Sequence, residues 1–161
     1  LSPDFIEGVN LLNQFGWHFE INVNFTQMGI IREFVQHIPD VPMILDHCGK
    51  PGIKEGALAQ YQDDVRDQAS HPNMWSKLSD LPPYADPKNW TDDDLRPYID
   101  ATIETFGFER TIYAGDWPIC LQATSLSRWV ATLDKALSGA SEGELKKFYR
   151  DNANEFYRLG L

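Results

Sequence analysis

Four short apolar runs of strand period are separated by longer stretches of helical period, and this alternation limits the fold of the 161-residue chain more than any other feature. Ser2 followed by Pro3 reads as the N-cap and first residue of a helix. Phe5, Val9 and Leu12 then recur at helical spacing until Gly16 offers a stop. Phe19 to Phe25 alternates, with Phe19, Ile21, Val23 and Phe25 on one face and Glu20, Asn22 and Asn24 on the other, as a strand does. Met28, Ile31, Phe34, Val35 and Ile38 mark a second helix, and Pro42 to Leu45 a second strand. A helix over Leu58–Ala69 and a strand over Met74–Leu78 follow, then a Pro-rich loop from Ser79 to Asn89. Thr91 caps a helix running to Phe106, with an interruption expected near Pro97. Arg110 to Ala114 is the fourth strand, and helices over 125–137 and 142–159 close the chain, the second with a capping-box start at Ser141 and Glu144.

Strands alternating with amphipathic helices imply an α/β fold with a parallel sheet and connections of one hand. Either an open doubly wound sheet or part of a closed barrel fits. A complete (β/α)8 barrel needs about 250 residues, so four strands are half of one. The expected organisation is a single, partial barrel domain over residues 1–161.

Composition narrows the partners. A net charge of −10 lacks the basic footprint that nucleic acid or an anionic membrane requires, so neither is expected as a partner. No run approaches the roughly 18 apolar residues of a membrane span, and no secretory leader opens the sequence. Without an initiator Met, the N-terminus is expected to be a processed or cut end. Cys48 and Cys120 lie outside any CxxC pattern. Free thiols in a reducing cytoplasm are the simplest reading, with a single disulfide left open.

Active sites of parallel α/β proteins gather beyond the carboxyl ends of the strands. Here the second strand delivers Asp46-His47 and the fourth delivers Asp116. Strand parity gives His47 the face of Leu45 and Asp116 the face of Ala114. It also turns Glu20, Asn22 and Asn24 inward on the first strand, and Trp75, Lys77 and Ser79 on the third. If these faces line a barrel, an imidazole and a carboxylate converge at its mouth. A carboxylate there takes a proton from water, and a His, protonated or metal-bound, polarises the carbonyl under attack. That is the chemistry of an acyl hydrolase opening a lactone or amide.

The string Met43-Ile44-Leu45-Asp46-His47-Cys48-Gly49-Lys50-Pro51 resembles the "hydrophobic strand–DHxGKP" motif of the amidohydrolase-2 family. Within that family it is nearest to sugar-lactone hydrolases such as L-fuconolactonases and to 2-pyrone-4,6-dicarboxylate lactonases. Trp75-Ser76-Lys77-Leu78-Ser79 is similar to the family's "KLSG" strand, and Arg110 to Pro118 to its "R-hydrophobic-YGSDWP" strand. Asn152 to Leu159 is similar to its terminal "NAxxFYxL" helix. Each match alone is weak, but the four occur in the family's order along nearly the whole chain.

The resemblance implies strands five to eight of a barrel, with His47 as the strand-six histidine and Asp116 as the strand-eight aspartate and general base. It also implies that the first four strands are absent, and with them the His-x-His element after strand one. Some members of the superfamily bind one or two divalent metals there, whereas lactonases of this branch can work without any. The cofactor is therefore left as one divalent metal such as zinc, held by His47 and Asp116, or none. Two positions depart from the pattern: the Ser before the strand-eight Asp is Gly115, and the Gly after "KLS" is Asp80. Both alter the pocket rim.

Each site residue has a plainer alternative. His47 is either functional or a loop histidine, and Asp116 either the base or a loop cap. Lys50 is a substrate contact or a solvated loop charge. Lys77 is a ligand contact or the partner of an interior carboxylate such as Glu20. Asn24 is a further substrate contact on the polar face of its strand. Trp117 is pocket wall or packing, and Trp90 and Trp129 are read as packing. Arg110 is read as structural, and His18, His37 and His71 as surface residues. Asp92-Asp93-Asp94 is the favourable charge of a helix N-terminus, not a metal site.

The expected function is a cytoplasmic hydrolase acting on a sugar lactone or related cyclic ester through Asp-activated water. The alternative is a non-catalytic half-barrel that needs an N-terminal half, a partner chain or a second copy of itself to be active.

Overall fold

In a computed structural model describing residues 1–161, the first helix, α1 (Pro3–Gln14), starts where Ser2 Oγ accepts a hydrogen bond from the Phe5 amide at 3.3 Å. The strand β1 follows but spans only Phe19–Ile21. The alternation that continues to Phe25 is not a strand: Asn24 caps a 3-10 turn over Phe25–Gln27, its Oδ1 accepting from the Thr26 amide at 3.0 Å. Local side chain-to-backbone bonds of this kind compete directly with sheet pairing.

The helix α2 (Met28–Phe34) runs into a further 3-10 turn over Val35–His37, and β2 is Met43–Leu45. The helix α3 (Leu58–Ala69) and strand β3 (Met74–Leu78) have the predicted bounds. The Pro-rich loop contains one short helix, α4 (Leu81–Tyr84). The helix α5 (Asp92–Phe106) carries a reciprocal cap between Thr91 and Asp94 and passes through Pro97 without breaking. One missing N–H is tolerated because Leu95, Tyr98, Ile99, Thr102 and Phe106 bury the helix on both sides of the proline. Tyr61 of α3 meets Thr102 at 2.6 Å, oxygen to oxygen, across the contact with α5.

After β4 (Thr111–Tyr113) come α6 (Leu126–Ala136), α7 (Glu142–Lys146) and α8 (Asn152–Tyr157). The last two read as one helix in the sequence, but a π-turn over Lys147–Asp151 separates them. No helix is long and apolar enough to cross a membrane.

The four strands are parallel and stand in the order β1-β2-β3-β4. A doubly wound sheet reverses its strand order at a switch point. Sequential order without reversal is that of a barrel segment. One face, with Ile21, Met43, Leu45, Met74 and Leu78, packs against the helices in a single core that includes Phe34, Val65 and Ile99. Register pairs Glu20 with Ile44, Ile44 with Trp75, and Lys77 with Ile112, so these residues share the opposite, inner face.

The closing helix also reaches that inner face. The Phe156 ring lies 5.4 Å from Trp75, and the Tyr157 hydroxyl donates to Glu20 Oε1 at 2.7 Å. At the other end of α8, buried Asn152 donates through Nδ2 to the carbonyls of Phe108 at 2.6 Å and Thr111 at 2.8 Å. This anchors the terminal motif to β4. Asn152→Ala strands both carbonyls and is expected to cost about 2–3 kcal/mol. A urea midpoint unchanged from the parent would refute that role.

Candidate active site

The carboxyl ends of β2, β3 and β4 carry a cluster of non-glycine residues in left-handed backbone conformation: His47 (φ 51°), Cys48 (φ 52°), Lys50 (φ 49°), Asp80 (φ 57°) and Asp116 (φ 47°). Such conformations cost on the order of 1 kcal/mol or more each and gather at sites where side-chain direction matters. The consequence is direct for His47. Parity gives it the face of Leu45, and Leu45 is fully buried against the helices, not in the barrel interior. The inner-face residue at this strand end is Asp46. Leaving strand geometry after Leu45 is what lets the imidazole reach the inner rim.

Donor atoms of His47, Asp80 and Asp116 all lie within 4.8 Å of one another. The His47 ring is oriented by Ser79, whose Oγ is 2.8 Å from Nδ1, which leaves Nε2 free. Burial pulls the His47 pKa below the ordinary histidine range, against the opposing charges of Asp116 and Asp46. The imidazole is therefore neutral at pH 7–8. His47 and Asp116 line one open recess of about 460 Å³, together with Glu20, Asp46, Lys77 and Tyr157.

Beneath the rim, Lys77 Nζ lies 2.6 Å from Asp46 and 3.3 Å from Glu20. Burial acts against the Lys77 charge, but the contacts with Asp46 and Tyr157 outweigh it and hold the ammonium above its usual range. Burial likewise opposes the Glu20 charge, and the Tyr157 hydroxyl with Lys77 wins, lowering its pKa. Lys77 is thus an ion-pair partner of Glu20, one of its two anticipated roles, with Asp46 as an additional partner.

Asp80 is the residue that sequence reasoning passed over as a change at the rim. It is only 4% exposed, and one carboxylate oxygen, Oδ1, is buried with no hydrogen-bond partner. Burial, then the charge of Asp116, pushes its carboxyl up to about 7. The available signal was an acid where the family pattern has glycine, directly after an inward-pointing strand.

The sign of the resulting pH dependence follows. The folded pKa is raised, so the folded state binds more protons than the unfolded state between about pH 4 and 7, and the Asp80 contribution falls as pH rises through that window. Three units correspond to about 4 kcal/mol, and water at the open rim reduces this to about 2 kcal/mol. Asp80→Asn should therefore gain about 1 kcal/mol relative to the parent between pH 5 and pH 8, read as urea midpoints in the presence of a chelator. An equal difference at both pH values would show that Asp80 titrates normally.

The other substrate-contact candidates are more dispersed. Lys50 and Asn24 line a second recess of about 330 Å³ with Phe25, Lys54 and Tyr84. Asn24 faces that recess because it caps a turn and does not continue β1. The charge of Lys50 still bears on both His47 and Asp80. Trp117 is 68% exposed and is not part of the wall around His47 and Asp116.

The residues read as structural have that environment. Arg110 donates to the carbonyls of Ala69, His71 and Met74. Trp90 and Trp129 are buried and donate to the carbonyls of Ala123 and Ala114. His18 and His71 depart from the surface reading: both are half-buried, His18 between the rings of Phe156 and Tyr157, whereas His37 is exposed. Gly115 has a local reason, since a Cβ there would sit 2.6 Å from Leu126 Cδ1. Leu126 is exposed, and the end of its side chain would have to turn aside for a serine there.

A family model described as "Amidohydrolase" matches residues 1–159. An L-fucono-1,5-lactonase of Burkholderia multivorans is 30% identical over 168 residues, covering 98% of this chain and 57% of that protein. A crystal structure of a zinc-bound amidohydrolase from Burkholderia multivorans superposes with a TM-score of 0.94 at 27% identity, covering 98% of this chain and 58% of that one. A Pseudomonas putida structure described as a candidate 2-pyrone-4,6-dicarboxylic acid hydrolase shares the fold, with a TM-score of 0.78 at 18% identity, covering all of this chain and 60% of that one. The chain spans about half the length of the curated relatives it matches, and its sheet is half of their barrel.

Proposed function

This chain belongs to the amidohydrolase family, and from that premise we propose that residues 1–161 form a single partial barrel domain supplying the base and the carbonyl-polarising histidine of a sugar-lactone hydrolase. The observation that carries the reading is the placement of Asp116 and His47 donor atoms within 4.8 Å of each other at one rim. The resemblance to L-fuconolactonases supports the choice of substrate class.

In this reading Asp116 takes a proton from a water molecule, and the resulting hydroxide attacks the lactone carbonyl. His47 is neutral. When Ser79 donates to Nδ1, the hydrogen stays on Nε2 and donates a hydrogen bond to the carbonyl oxygen as negative charge develops there, without being transferred. Collapse of the tetrahedral intermediate breaks the acyl–oxygen bond. The proton held by Asp116 passes to the leaving ring oxygen, giving the open hydroxy acid. Lys50 is assigned to the substrate's polar groups at the rim, with Asn24 in the adjoining recess, and exposed Trp117 offers an apolar surface beside Asp116. Lys77, occupied by Glu20 and Asp46, keeps the recess polar from below.

A divalent metal fits the residues present. An imidazole and a carboxylate converging on one rim are the nitrogen and oxygen donors that zinc accepts, and His47 and Asp116 would hold it. Such an ion polarises a carbonyl and lowers the pKa of water. The free, buried Cys48 and Cys120 suit a reducing compartment, so the cytoplasm is the proposed location.

A second reading rests on the open sheet, in which β1 and β4 are edges. Unpaired edges favour association, so the chain is inactive until another barrel half or a second copy of itself covers them. An assay on a panel of aldonolactones tests both readings, with the chain alone and with polypeptide that completes its barrel, with and without chelator. Turnover by the chain alone removes the second reading. Failure of every lactone with the completed barrel removes the first.

A further inference from the structure

We propose that Asp80 completes a divalent-cation site with His47 and Asp116, so that this chain by itself supplies three protein donors to an ion such as Zn2+ or Mn2+. The donors come from the ends of three successive strands, and their ligand atoms already lie within 4.8 Å of one another. Donors about 2.0–2.2 Å from one tetrahedral ion stand about 3.3–3.6 Å apart, so the three side chains close the site by drawing their ligand atoms together by up to about 1.5 Å. Two carboxylates and a neutral imidazole carry the charge that a divalent ion balances.

The independent observation is the state of Asp80 itself. Its side chain is buried and Oδ1 has no hydrogen-bond partner within 3.5 Å, although the Tyr84 hydroxyl and the Asp116 carboxylate are the polar groups that face the carboxyl. A buried carboxylate oxygen without a donor is costly, and a cation at the cluster removes that cost. The acidic start of α5 differs: Asp92 is taken by Lys135 and Thr132, and Asp94 by Thr91. In the tautomer whose Nδ1–H donates to Ser79 Oγ, the Nε2 lone pair is left for a cation, and Ser79 is then the outer contact that orients the ligating histidine.

This inference shares two residues with the lactonase reading but does not depend on it, because cation uptake is measured without any substrate. Zn2+ alone is titrated calorimetrically into the chelator-stripped full chain at pH 7.5, in parallel with Asp80→Gly and Asp80→Asn. Glycine and asparagine both accept the left-handed backbone at this position, and thermal melts followed by circular dichroism establish that each variant is folded. The parent is expected to bind one equivalent, and both variants to bind about 100-fold more weakly. Cobalt substituted for zinc should give a visible absorption that both variants lose. No uptake by the parent, or less than ten-fold weakening in a folded variant, overturns the proposal. Loss of lactone hydrolysis with uptake intact leaves it standing.

Discussion

Replacing Asp116 with asparagine is expected to lower kcat for lactone hydrolysis by about 1,000-fold, within the 100- to 10,000-fold range of a positioned general base, with a much smaller change in KM. Asparagine keeps the shape of the side chain and tolerates the left-handed backbone at φ 47°, so the recess should survive. What it cannot do is accept the proton of the attacking water. The measurement is steady-state hydrolysis of the best lactone by the active form of the protein, with melts showing that the variant is folded. Retention of more than a tenth of the parent kcat would remove Asp116 from the base role.

The second large effect concerns stability. Lys77→Met leaves Asp46 and Glu20 without the cation that lies between them. Breaking a buried pair by removing one partner typically costs 3–5 kcal/mol. Glu20 is partly exposed, so the lower end, about 3 kcal/mol, is expected. For a domain of this size that lowers Tm by about 6–12 °C. The pH dependence has a definite sign. Because the folded pKa of Glu20 is lowered, its favourable contribution is present above the ordinary glutamate range and fades as pH falls through it. The gap between parent and variant should therefore narrow on acidification. A gap that is constant with pH would mean that lost packing, not lost charge, is responsible.

Much of the architecture was legible because it rests on local rules. The bounds of Leu58–Ala69 and Met74–Leu78 follow from periodicity, and Ser2, Thr91, Ser125 and Ser141 cap the helices they precede. Errors arose where two local signals competed. The alternation of 19–25 looked like a long strand, but Asn24 and Gln27 satisfy each other's backbone and end it early. Pro97 looked like a break, but burial of α5 on both sides of it holds the helix together. The 142–159 segment looked continuous, but a π-turn divides it before Asn152 bonds to the carbonyls of Phe108 and Thr111.

The site shows the same division. That an imidazole and a carboxylate would stand at strand ends was readable, because parallel strands all present their carboxyl ends on one side. How His47 gets there was not, since parity alone sends it toward the helices and only the left-handed turn after Leu45 brings it back. Asp80 could be read as an unusual acid, but not as a buried carboxylate beside Asp116, because those residues are far apart along the chain and meet only when β3 pairs with β4. The order of elements, the caps and the chemistry of the strand ends are therefore properties of neighbouring residues, and the sequence determined them. The inner face, the Glu20–Lys77–Asp46 ladder and the three-donor cluster depend on register and backbone twist between distant segments. Only the assembled sheet decides those, because contacts across it have no counterpart in local spacing.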